Sequence, residues 1–150
     1  MPQSFGSLYF HLIFSTKNRV PSISDSIQPR LFEYLGGILR NQKGRLVAVG
    51  GIEDHVHLLV SLSRQASISD TLRDLKSNSS GWIHETFPNQ RSFAWQSGYG
   101  AFSVSFSALD SVRKYLENQK EHHAKQTFQE EFIAFLKLHE LEYDERYIWD

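Results

Sequence analysis

An α+β domain is predicted, with an antiparallel sheet, helices packed on one face and extra C-terminal helices. Three observations predict it. Short runs with β-type alternation or β-branched residues occur at Ser7 to Thr16, Arg45 to Val49, His55 to Leu62 and Ala101 to Phe106. Between and after them lie stretches with apolar residues at helical spacing. Their order, βαββαβ followed by helices, is the split-βαβ arrangement of ferredoxin-like or RRM-like sheets.

Each element has its own warrant. Ser7 to Thr16 alternates and is rich in aromatic residues, as a strand should be. Ser24 to Gln42 carries Ile27, Leu31, Leu35, Ile38 and Leu39 on one helical stripe, with Pro29 suited to a first turn and Gly44 to the exit. Arg45 to Val49 and His55 to Leu62 read as a hairpin whose turn runs from Gly50-Gly51 to Asp54. Ser67 opens the next helix, with Asp70 at capping distance and Ile68, Leu72, Leu75 and Trp82 on the buried side. Pro88 to Gly100 is a loop, and Ala101 to Phe106 is the fourth strand. Asp110 starts a helix predicted to run unbroken to about His123, and Thr127 to Glu130 forms a capping box for a further short helix.

Composition bounds the function. The 150 residues suit one domain, and no repeat, low-complexity tract or linker divides residues 1–150. With 40% hydrophobic and 22% charged residues, the chain is an ordinary globular protein. No apolar run is long enough to cross a bilayer, and the N-terminal stretch reads as a strand rather than a signal peptide. Cysteine is absent, which excludes disulfides and thiolate metal sites and permits a cytoplasmic location. The net charge of -1 disfavours a strongly basic duplex-DNA binder. Charge is nevertheless segregated, with an acid-rich stretch from Glu130 to Asp150 and basic residues in the middle of the chain.

Two clusters carry candidate chemistry. In Glu53-Asp54-His55-Val56-His57-Leu58, alternation along a strand puts both histidines on one face. Two imidazoles at that spacing can share a cation, or can simply sit on a solvent-facing strand. In the stretch from Ser111 to His123, Tyr115 and Gln119 share a helical face, followed one turn later by His122 and His123. Read alone, this is better taken as an amphipathic helix with a tyrosine at the core margin. The two clusters gain meaning together. A tyrosine hydroxyl, with a reference pKa of about 10, becomes a useful nucleophile beside a Lewis acid or general base. Two imidazoles and an amide oxygen would leave open positions on a divalent cation, either Mn²⁺ or Mg²⁺. No Ser-His-Asp set, Walker-type loop, dinucleotide fingerprint or zinc-protease helix accompanies them.

On these residues the chain resembles the HUH endonucleases. More closely, it resembles the single-tyrosine transposases of the smallest bacterial insertion sequences, the IS-two-hundred type. The resemblance runs through His11 to Arg19, the His55-Val56-His57 motif, Leu75-Lys76 and Ser79-Ser80, the Trp95 to Ser105 stretch, Tyr115, Gln119 and His122-His123. It implies a transposase that cleaves and rejoins single-stranded DNA at element ends, recognising hairpins there. Tyr115 would attack the scissile phosphate near a divalent metal on His55, His57 and Gln119, leaving a 5′-phosphotyrosine and a free 3′-hydroxyl. It further implies a homodimer in which the tyrosine helix of one subunit can complete the site of the other. The loop carrying Trp95 and Tyr99 could stack unpaired bases or serve as a core anchor. Arg64, Arg73 and Lys76 are candidate phosphate contacts or solvated surface residues. Two other readings stand beside this one: a non-catalytic or domesticated single-stranded hairpin-binding module, and a metal-dependent phosphodiesterase that uses water.

Overall fold

The computed structural model describes residues 2–150. In chain order these form β1 (Tyr9–Ser15), α1 (Gln28–Asn41), β2 (Arg45–Ile52), β3 (His55–Ser61), α2 (Ile68–Thr86), β4 (Gly100–Val104), α3 (Leu109–Glu117), α4 (Gln119–His123) and α5 (Phe128–Leu138). The sheet order is β2-β3-β1-β4, and every neighbouring pair is antiparallel. This is the βαββαβ arrangement expected from the sequence.

The two faces of the sheet have different coverings. Leu12 and Phe14 of β1 and Val56, Leu58 and Val60 of β3 face α1 and α2, joining Leu31, Leu35, Leu39, Leu72 and Leu75 in the main core. The opposite face, with Ile13 and Phe102, is covered by Phe128, Phe132 and Leu136 of α5. The C-terminal helices therefore close the second side of the sheet. As a result β3 is buried from His55 to Val60, and its histidines are interior residues rather than a solvent-facing pair.

Local signals account for the helix boundaries. Ser67 Oγ accepts from the Asp70 amide at 3.1 Å, and Thr127 and Glu130 make a complete capping box. Pro29 occupies the first turn of α1.

Two boundaries depart from expectation. Gly50 and Gly51 belong to β2, and the turn shrinks to Glu53-Asp54. Their role is close approach. A Cβ on Gly50 would collide with the Leu116 carbonyl of α3, and Gly51 has a φ of 150°, which disfavours any side chain. The second departure is the predicted helix from Asp110 to His123, which breaks at Asn118 (φ -102°, ψ 22°). Asn118 is a poor helix former, and its amide is shared between the carbonyls of Lys114 and Tyr115 at 3.2 and 3.3 Å. Tyr115 and Gln119 still reach the same partner, Glu131 Oε2, across the break.

Candidate active site

Strand β3 and helices α3, α4 and α5 meet on the second face of the sheet. His55 and His57 project side by side from β3, their ring centroids 5.0 Å apart, and both are fully buried. His123 arrives from α4 and Glu131 from α5. The four ligating atoms lie within 4.8 Å of one another. The Nε2 atoms of His55, His57 and His123 stand 3.4, 2.9 and 3.1 Å from a single oxygen, Glu131 Oε1. Each ring is oriented by its other nitrogen: Asp54 Oδ1 holds His55 Nδ1, His11 Nε2 meets His57 Nδ1, and the Gln126 carbonyl accepts from His123 Nδ1, each at 2.7 Å. Metal-binding imidazoles are fixed in this way, with one nitrogen tethered and the other pointing inward.

The protonation pattern follows from burial and partners. Burial disfavours charge on His55, but hydrogen bonds to Asp54 and Glu131 outweigh it and push the pKa up to about 9. For His57 burial wins over Glu131, and the pKa falls to about 4. His11, buried and beside His57, falls to about 3. A carboxylate only accepts, so neutral His57 donates from Nε2 to Glu131 and its Nδ1 accepts from His11. Burial would raise the Glu131 pKa, yet hydrogen bonds from His123, His55 and His57 hold the carboxyl well below the usual range.

Tyr115 reaches this cluster from α3. Its hydroxyl donates to Glu131 Oε2 and lies 3.1 Å from His122 Nε2. Burial, and then the Glu131 carboxylate, push its pKa above the ordinary phenol range. Gln119 is buried, with its Oε1 3.2 Å from His55 Nε2 and its Nε2 donating to Glu131 at 3.3 Å. The structure thus brings together His55, His57, Gln119 and Tyr115, as their motifs suggest.

His11 and Glu131 are the members that sequence reasoning gave no role. A signal existed for Glu131. Phe128, Glu131, Phe132, Phe135 and Leu136 lie at helical spacing, so an acid occupies an otherwise apolar stripe. Its neighbour Glu130 performs the capping.

The proposed DNA contacts are elsewhere and divide. Trp95 is a core residue, edge-on to Phe14 and Phe93 at 4.8 and 4.9 Å, with its Nε1 donating to Ser79 Oγ at 2.9 Å. It anchors the loop and is not a surface for stacking bases. Lys76 is also committed. Its ammonium donates to the carbonyls of Gln96, Ser97 and Gly98, and burial lowers its pKa to about 8. All three of its donors serve the loop. Arg73 is exposed and paired with Asp70 and Asp74 at 3.1 and 3.4 Å. Arg64 is exposed, its methylenes facing Gly6, and Tyr99 remains 39% exposed at the rim of the loop.

Known proteins share this framework. A family model described as "Transposase IS200 like" matches residues 4–119. The ISDra2 transposase TnpA of Deinococcus radiodurans is 26% identical over 117 residues, covering 75% of this chain and 84% of that protein. A crystal structure of a candidate transposase from the same organism superposes with a TM-score of 0.64 and 29% identity, covering 79% of this chain and 98% of the other. The structure of a REP-associated tyrosine transposase bound to a REP hairpin superposes with a TM-score of 0.61. At 12% identity, over 82% of this chain and 73% of that one, it shares the fold alone.

Proposed function

Because the chain belongs to the IS200-like transposase family, we propose that it cleaves and rejoins single-stranded DNA through a covalent bond to Tyr115, with His55 and His57 holding a divalent cation. The observation that carries this reading is the placement of the Tyr115 hydroxyl against the cluster where His55, His57 and His123 converge.

The residues fit a cation. Glu131 is buried, and its ion-pair partners among the described residues are all histidines. The tethered imidazoles of His55 and His57, beside the Glu131 carboxylate, offer donors for one, and Gln119 Oε1 lies at their edge. A cation there supplies counter-charge to the oxygens of a scissile phosphate.

The chain's own groups handle the proton. The Tyr115 hydroxyl has two acceptors in reach, Glu131 and His122. Attack by the phenolic oxygen forms a phosphotyrosine bond, breaks the bond to the 3′-oxygen and leaves a 3′-hydroxyl once that oxygen takes up a proton. Return attack by a 3′-hydroxyl rejoins the strand and restores the tyrosine. The bond energy stays in the ester, so no nucleotide cofactor is needed. A hairpin substrate is supported by the structural neighbour that binds one.

The test is incubation with single-stranded DNA carrying a hairpin from the flanking genome, with Mn²⁺, followed by a denaturing gel. Wild-type protein should form a covalent adduct. Tyr115→Phe should reduce it by about a thousandfold or more while retaining hairpin binding. Adduct formation by Tyr115→Phe at the parent rate would remove Tyr115 from the role. Hairpin binding by the wild type without any adduct would leave only a binding module.

A further inference from the structure

We propose that His123 and Glu131, from the two C-terminal helices, complete the metal site with His55 and His57, and that this three-nitrogen, one-oxygen set selects a transition cation such as Mn²⁺ over Mg²⁺. The inference rests on the metal-dependent reading above and adds two ligands and a preference to it.

Both residues lie beyond the segment 4–119 that matches the family, so this part of the site belongs to the chain's own C-terminal helices. Their geometry suits ligands of a shared ion, since each directs one donor atom at the point where His55 and His57 converge. His123 Nδ1 is tied down by the Gln126 carbonyl, which leaves Nε2 directed at the centre. Glu131 projects from an apolar stripe between Phe128 and Phe132 into a pocket of imidazoles. Neither lysine nor arginine accompanies it there among the described residues. Removing a carboxylate from water without a permanent countercharge is costly, and a shared cation offsets that cost.

Glu131 also divides its two oxygens. Oε1 faces His55, His57 and His123, while Oε2 accepts from Tyr115 and Gln119. One side chain thereby ties the nucleophile to the cluster, so α5 positions Tyr115 as well as contributing a ligand. The donor chemistry decides the cation. Mg²⁺ favours oxygen ligands and retains its waters, whereas imidazole suits later first-row ions.

The experiment is calorimetric titration of the chelator-treated full chain with Mn²⁺ and, separately, Mg²⁺. Wild-type protein should bind Mn²⁺ at least about tenfold more tightly than Mg²⁺. Glu131→Gln and His123→Ala should each weaken Mn²⁺ binding by about tenfold or more. If both variants bind as tightly as wild type while His57→Ala loses binding, the two C-terminal ligands are refuted and the metal-dependent reading survives. Equal affinity for Mg²⁺ would overturn the preference, and a wild-type chain that takes up no Mn²⁺ would defeat the metal reading itself. A measurement on the unsubstituted chain guards against misfolded variants. Addition of Zn²⁺ should shift the imidazole ¹⁵N resonances of His123 together with those of His55 and His57, and an unmoved His123 would overturn the proposal.

Discussion

Gly50 of β2 lies directly beneath the Leu116 carbonyl of α3, so close that any Cβ at position 50 would collide with that oxygen. The contact seats the tyrosine helix, because Leu116 is the residue after Tyr115. Gly50→Ala should lift α3 from the sheet and move the Tyr115 hydroxyl away from Glu131. A loss of about 1–3 kcal/mol of stability or more is expected, as for other overpacked sites. Covalent adduct formation should fall further than hairpin binding. Adduct formation and denaturation midpoints that both match wild type would show that the contact is not needed.

Trp95 and Tyr99 share one loop but should behave oppositely. Trp95→Ala removes a buried ring packed on Phe14 and Phe93, and a destabilisation of about 3–5 kcal/mol is expected. Tyr99→Ala removes a partly exposed ring and should leave stability within about 0.5 kcal/mol. If the loop touches DNA, the Tyr99 variant alone should weaken single-strand binding without unfolding. Urea denaturation and filter binding of both variants separate the two roles.

The metal-free protein should be most stable near pH 6.5. His11 and His57 have pKa values depressed to about 3 and about 4, so their contributions are present above about 6.5 and are lost as pH falls. At pH 5 the cost is on the order of 2 kcal/mol for each. His55 acts in the other direction. With its pKa raised to about 9, its contribution is full below about 6.5 and lost as pH rises through 9. Urea unfolding in chelator at pH 5, 6.5 and 9 should trace a maximum, and a flat profile would contradict the buried histidine network.

Within one chain, Tyr115 meets the histidines of its own β3, and the C-terminal residues are tied to the same chain. The Gly98 amide donates to the Asp150 carbonyl at 2.8 Å, and Arg19 donates to the Trp149 carbonyl at 2.7 Å. For a site assembled as in this chain, complementation between subunits is not expected. Mixing His57→Ala with Tyr115→Phe protein should then restore no cleavage. Recovered activity in mixed dimers would instead establish the shared site that the family resemblance suggests.

Local pattern made much of this protein legible. The period of two along β3 puts His55 and His57 on one face whatever surrounds them, and the capping residues Ser67 and Thr127 mark helix starts because they satisfy nearby amides. Other features were misread or left open because their cause is not local. Gly50-Gly51 has the composition of a turn, yet it is strand, since what demands glycine there is the backbone of α3 at Gly50 and of β3 at Gly51. Trp95, in a polar, glycine-bearing loop, left a stacking platform and a core anchor equally open, and the enclosure by Phe14, Phe93 and Ser79 makes it the anchor. Asn118 interrupts a stretch whose spacing continues smoothly into His123.

The sequence by itself determined the strand and helix order, the pairing of His55 with His57 and the presence of a tyrosine helix, because side-chain periodicity and capping are properties of short segments. Only the tertiary structure decided that His11 and Glu131 join them. His57 and Glu131 stand 74 residues apart and meet because α5 packs its aromatic stripe on the second face of the sheet. Nothing within the short capped helix from Phe128 to Leu138 specifies which surface that stripe will cover. The burial that turns an ordinary glutamate into the hub of a histidine cluster is a property of the assembled layers.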